Sequence, residues 1–412
     1  MRSHQRYFSM VNGEGNLLPK FVVVANTPIS DTAIVVKGNE RVLKARLEDA
    51  KFYYNEDLKV PLEKRLEELK GVVFQAKLGT SYEKVMRFKS IARLIADSVA
   101  PDKVGKVERA SLLCKADLVS GMVGEFPDLQ GIMGREYAQH AGESTDVSDA
   151  IYEHYMPKEA GGELPKSLTG AIVSIADKLD TMVGCFSVGL IPTGTADPYA
   201  LRRQALGIIA IILDRGFTLS LRALMEKSFD LIEEKAARPR EDVLRDVEGF
   251  VKSRWKNQLV SQGYPPDIVD AVLAASSSLD LNDSFERIKA LKNFKLSPAF
   301  DALAAAFKRV VNILKGSREF TLNPDLFDTE GERNLFSAYE ERGEEIEKLL
   351  AKKDYEHALE KLSLLKAPVD AFFDEVMVMV EDEAVRNNRL ALLQSIGKML
   401  DKICDFLKIT TN

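Results

Sequence analysis

The chain has 412 residues, enough for roughly two to four domains, and its 45% hydrophobic and 29% charged content is ordinary for a soluble globular protein. A net charge of −6 argues against a surface coated in positive potential for indiscriminate nucleic-acid binding, although a local basic stripe would still serve. Cys114, Cys185 and Cys404 are scattered with no CxxC pair, so neither a disulfide framework nor a thiolate zinc site is indicated, and a reducing cytoplasm fits best.

Residues 1 to about 36 contain strand-like runs, Phe21–Ala25 and Ala33–Val36, broken by Gly and Pro. From Glu40 onward helical periodicity dominates. Leu58–Leu69 and Tyr82–Ala100 are amphipathic, and Leu112–Val123, Ser148–Tyr155 and Leu168–Val183 continue the set. Gly- and Pro-rich breaks fall at 161–165 and 189–198. The longest strongly apolar run, Ala205–Leu213, is far short of the roughly 20 residues that span a bilayer, and the first residues form no apolar signal region. Near 214–218 the aliphatic helix gives way to a more charged region that holds Trp255 and runs to about 295. The fold class is mainly α and multidomain, with a short β segment at the N-terminus.

A basic stripe follows. From Glu286 to Glu319 there are eight Lys or Arg against three acidic residues. Within it, DALAAAFKRVVNILK places Leu303, Phe307, Val310 and Leu314 within about 60° of one another on a helical wheel. Lys308, Asn312 and Lys315 fall opposite, with Arg309 flanking them. Such a face suits phosphate contacts, with Asn312 available for a base edge, and equally a solvated lysine face.

At the C-terminal end, Val369, Phe373, Val376 and Val380 recur at spacings of four, three and four, the pattern of one helical face. Glu381-Asp382-Glu383 interrupts, and a second helix carries Leu393, Ile396, Leu400, Ile403 and Leu407 as a packing seam. Arg386 and Arg389 are not required by that packing. They either pair with Asp374, Asp382 or Glu383 or present guanidinium groups to phosphate. Arg202 and Arg203, in DPYALRRQALG, are a second such cluster, or an ion pair within the core. There is no P-loop, no GxGxxG after a strand and no HExxH, and four histidines leave little for His-centred catalysis.

VDAFFDEVMVMVEDEAVRNNRLALL closely resembles the anticodon-binding helices of bacterial glycyl-tRNA synthetase β subunits of the heterotetrameric type. GNERVLKARLEDAKFYYNED (Gly38–Asp57), QAKLGTSYEKVMRF (Gln75–Phe88) and DPYALRRQALGIIAII (Asp197–Ile212) match the same family in order, and the resemblance runs from HQRYF (His4–Phe8) to the end. Family members are longer on the N-terminal side, so the resemblance implies the C-terminal portion of a β subunit, with Met1 opening in mid-protein. It also implies four regions: a body remainder at 1–70, an HD-like helical domain at 71–216, a helical linker at 217–295 and an anticodon-binding helical domain at 296–412.

The implied role is tRNA(Gly) binding within glycine–tRNA ligase, the chain alone not being catalytic. The partner is a catalytic α subunit, in an α2β2 assembly for the full-length chain. No cofactor is expected in this chain, with ATP and Mg at the α subunit, and neither membrane nor DNA is expected as a partner.

ASLLCKADLVSGM, REYAQHAGE, AIYEHYMP and AIVSIADKLD resemble the element order of the HD superfamily of metal-dependent phosphohydrolases. The matching late aspartate is Asp177, beside Asp180, and His154 falls near a histidine of that superfamily, with His140 upstream. The adjacent His-Asp pair is missing: Cys114, Lys115, Ala116 and Asp117 stand there. A lysine in that place repels a cation and substitutes for its charge, so no metal is expected. The plain alternative is that Asp177 and Asp180 cap or salt-bridge helices while His140 and His154 are ordinary, partly buried histidines. The rival function is an active metal-dependent phosphohydrolase resting on Asp177 and His154.

Overall fold

The computed structural model describes residues 7–297, 300–316 and 318–411; of HQRYF, Tyr7 and Phe8 lie within them. Strands Tyr7–Val11 and Leu17–Val23 form an antiparallel hairpin with Tyr7 opposite Val23. Ala33–Val36 is not a strand. The Asp31 carboxylate accepts from the amides of Ala33 (2.8 Å) and Ile34 (3.3 Å), and this cap starts a helix that runs from Thr32 to Asp57. Two capped first-turn donors decide more than the β preference of Ile34, Val35 and Val36.

The centre of the molecule is the helix Leu168–Ser187, buried from Thr169 to its end. A helix buried on all sides has no solvent face to offer, and it sits inside a ring of other helices. Around it pack Ser81–Val99, Val104–Leu113, Thr145–Glu153, Leu201–Arg215, Leu221–Asp230 and Arg240–Ser261, the last carrying the fully buried Trp255. Ser81–Val99 begins with a capping box: Thr80 Oγ1 takes the Glu83 amide, and Glu83 takes the Thr80 amide at 2.7 Å.

Leu112–Val123 is not one helix. The chain leaves Val104–Leu113 at Cys114, makes a 3-10 turn over Ala116–Val119, and resumes at Gly121–Glu125. Two buried carboxylates satisfy the donors freed in this part of the fold. Asp57 accepts from the amides of Gly121 and Met122, and Asp117 accepts from those of Gly131 and Gly134.

Beyond Pro266–Ala275 and Leu281–Phe294 lies a second bundle of Phe300–Leu314, Glu330–Ala351, Tyr355–Ser363, Lys366–Glu375 and Glu383–Asp401. The C-terminal segment ties it back, with the Asp405 amide on Ala271 O at 3.0 Å and the Thr410 amide on the Asp267 carboxylate at 2.9 Å. The expected helix through Val380 ends at Glu375. From there Val376 and Val378 are buried while Met377 and Met379 are exposed, the alternation of extended chain. Among the described residues no helix is long and apolar enough to cross a membrane.

Candidate nucleic-acid interface and a lysine-filled acidic centre

Asp177 and Asp180 project from the buried central helix toward two cations that Ser81–Val99 places on its own inner face. Lys84 and Arg87 share that face with Phe88 and Ile91 because spacings of three, four and seven return to one side of a helix. Asp180 is fully buried and takes Arg87 through Nε at 2.7 Å and Nη2 at 3.1 Å, with Lys84 Nζ at 3.3 Å. Asp177 meets Lys84 at 2.7 Å on one oxygen and Lys115 at 2.8 Å on the other. Burial opposes ionisation of Asp177, but Lys115 and Lys84 outweigh it and hold the carboxyl well below its ordinary value.

The HD-like residues are therefore only partly assembled. Lys115, Asp177 and His154 face one another across the same space. His154 is fully buried, its Nδ1 lies 2.7 Å from Ile151 O and its Nε2 has no partner; burial first, then Lys115, keeps the ring neutral. Asp117 faces away, committed to the Gly131 and Gly134 amides, with its carboxyl pushed up by burial. His140 is exposed at the end of Ile132–His140 and is not part of the centre. Asp177 and Asp180 form the salt bridges of the plain alternative.

The residues present do not fit a divalent cation. Each oxygen of Asp177 already holds an ammonium, and a metal there would sit against two fixed positive charges. Among the described residues no three His, Cys, Asp or Glu come together as a ligand set. The expected outcome of a manganese-supplemented phosphatase assay is no metal-dependent turnover that Asp177→Ala removes. A manganese-dependent rate lost in that variant would contradict this geometry.

Sequence reasoning gave no role to Lys84, Arg87 or Lys178. Lys178 donates to His154 O, Met156 O and Ser174 Oγ, and burial brings its ammonium down to about 7. Their signal was legible: cations at core-facing positions of amphipathic or largely apolar helices cannot all be solvated.

In the second bundle the basic residues divide into spent and open. Arg389 is buried, and neither Asp374, Asp382 nor Glu383 is its partner. It meets Glu332 at 3.1 Å, Asp328 at 2.6 Å and Met377 O at 3.0 Å. It therefore holds Glu383–Asp401 against Glu330–Ala351 and the extended segment, and offers no surface to a ligand. Arg386 closes the turn before its helix, donating to Val380 O at 2.9 Å. Asp382, the residue between, is the N-cap of that helix.

Much of the basic stripe is also neutralised: Arg287 by Asp283, Lys289 by Glu286, Lys295 by Asp267. Pro298, Ala299 and Ser317 of the stripe lie outside the described residues. The face of Phe300–Leu314 remains. Leu303, Phe307 and Val310 are buried, while Arg309, Asn312 and Lys315 are exposed and Lys308 is half-buried. Arg309 stacks on Phe373 at 4.4 Å with Asp370 at 4.0 Å, and Lys308 lies 3.5 Å from Thr411 Oγ1. The side chains of Asn312 and Lys315 have no partner among the described residues. Arg202 donates to Gly194 O at 2.8 Å near Asp197, a loop contact, whereas Arg203 is exposed and unpaired among the described residues.

The model of a family described as glycyl-tRNA synthetase beta subunit matches residues 1–274, and that of the DALR anticodon binding domain matches 303–412. The chain is 53% identical over 406 residues to the glycine–tRNA ligase beta subunit of Trichlorobacter lovleyi, covering 98% of this chain and 59% of that one. It is 54% identical over 411 residues to that of Geotalea uraniireducens and 54% over 409 residues to that of Geobacter metallireducens. These alignments cover 100% and 99% of this chain, and it spans 59% of the length of each of these relatives.

Proposed function

This chain belongs to the glycyl-tRNA synthetase β-subunit family, and we propose that it is the tRNA-binding component of a glycine–tRNA ligase, its second helical bundle gripping tRNA(Gly) at the anticodon. ATP-dependent activation of glycine takes place on a separate α subunit, where ATP and Mg bind, within a cytoplasmic α2β2 assembly. This chain supplies RNA contacts and a docking surface for α, and by itself activates no glycine.

The observation that carries the reading is the open face of Phe300–Leu314. Lys308, Arg309 and Lys315 line an edge with the unpaired amide of Asn312, on a helix whose other side is anchored in the bundle. Cations of this kind position a phosphate backbone, and a neighbouring amide can read an unstacked base. The acidic overall charge keeps the attraction local.

The test is affinity for a tRNA(Gly) transcript with its own anticodon bases and with those bases changed. A loss of about tenfold on changing them, with hydrogen-exchange protection mapped beyond residue 296, is the expected result. Equal affinity for both transcripts rejects anticodon reading by this bundle.

A further inference from the structure

A cavity of about 450 Å³ opens beside the acidic centre, between the central helix, the start of Leu201–Arg215 and the turn at Tyr155–Lys158. Its charges do not balance. Lys84, Lys115, Lys158, Lys178 and Arg203 line it, against Asp177 and Asp128. The Asp177 carboxylate is already shared by two of the lysines. Arg203 and Lys158, at its mouth, are exposed with no carboxylate partner among the described residues. A second, independent feature marks an open polar position: His154, fully buried on the cavity wall, donates Nδ1–H to Ile151 O and leaves its Nε2 as an acceptor without a partner, suited to an N–H or O–H of a ligand rather than to its charge.

Lys84 and Lys115 are held by Asp177, and Lys178 by carbonyl and hydroxyl oxygens, so the charge left over is that of Arg203 and Lys158, and an anionic ligand at the mouth can supply their missing counter-charge. Size narrows the ligand. A bare phosphate would leave most of this volume empty, whereas a nucleoside monophosphate fills more of it. The half-buried Tyr199 ring on the wall offers a face on which a base can stack.

We propose that this cavity binds the phosphate ester of a nucleotide, Arg203 and Lys158 holding the phosphate and Tyr199 the base. No bond is broken there: the lysines occupy the space a metal would need, and nothing activates water. The site is independent of the tRNA grip assigned to the second bundle.

The experiment is calorimetric titration of the full chain with AMP, adenosine and inorganic phosphate, at low and at 300 mM salt (about a threefold shorter screening length than at 30 mM). AMP is expected to bind at least about tenfold tighter than either adenosine or phosphate, and to weaken in salt. Arg203→Ala and Lys158→Ala, both at exposed positions, should each weaken AMP by about tenfold. Tyr199→Ala should shrink the advantage of AMP over phosphate.

Lys308→Glu with Arg309→Glu should leave AMP binding unchanged, which separates this site from the tRNA reading. Displacement of AMP by tRNA identifies the nucleotide as part of the RNA, and simultaneous binding identifies a free one. AMP binding no tighter than adenosine, no AMP binding at millimolar concentration, or affinity untouched by both Arg203→Ala and Lys158→Ala overturns the proposal.

Discussion

Asp180→Asn is expected to destabilise the first helical unit by about 3–5 kcal/mol, the cost of leaving a buried charge unpaired. The change keeps the side chain's shape, so no cavity is made. What it removes is the negative charge that Arg87 grips at 2.7 and 3.1 Å and that Lys84 approaches at 3.3 Å. Arg87 then keeps only neutral acceptors, Leu78 O at 3.2 Å and the one oxygen of the new amide, and remains buried. Trp255 reports the loss directly, since it is the only tryptophan and lies fully buried on a helix packed against the one bearing Asp180. Urea unfolding followed by its emission should shift to a lower midpoint. Glu344→Gln, which removes an exposed helix pair with Lys348, should leave the midpoint where it was. Equal midpoints for Asp180→Asn and the parent chain would mean that the cluster is solvated.

Arg389→Met is the corresponding change in the second bundle. It strands the fully buried Glu332 and releases Asp328 and Met377 O, again at a cost of about 3–5 kcal/mol. Glu332 also closes the capping box on Thr329, so the start of Glu330–Ala351 should fray as well. Hydrogen exchange is the suitable readout because it resolves the two units. Amides of Glu330–Ala351 and Glu383–Asp401 should lose protection while those of Leu168–Ser187 keep theirs. Uniform loss over both would show that the two bundles unfold together.

Periodicity was enough for the long helices. Tyr82–Ala100 and Leu168–Val183 lie within a few residues of Ser81–Val99 and Leu168–Ser187 because an apolar face repeats over many turns. It failed where few residues decide. VMVMV satisfies helical spacing through Val376 and Val380 and strand spacing through Val376 and Val378, and burial follows the second. Ala33–Val36 looks like a strand until the Asp31 cap is counted.

Ion-pair partners were out of reach for another reason. Arg389 meets residues 57 and 61 positions upstream, and Lys84 meets one 96 positions downstream, distances set by packing rather than by local pattern. The acidic centre was half visible. Lys115 in place of a metal ligand could be read directly, but the second ammonium on Asp177 is Lys84, in a block that matched the family without any ligand pattern to give it a partner.

The central claim is that the outer face of Phe300–Leu314 grips RNA. The most direct measurement is the affinity of the full chain for tRNA(Gly) across a salt series, before and after Lys308→Glu, Arg309→Glu and Lys315→Glu together. All three side chains lie off the buried face, so the fold should survive. The account predicts binding weaker by at least about a hundredfold at low salt, and a log–log salt slope shallower by about two to three units. Unchanged affinity and slope in a folded triple variant would contradict it.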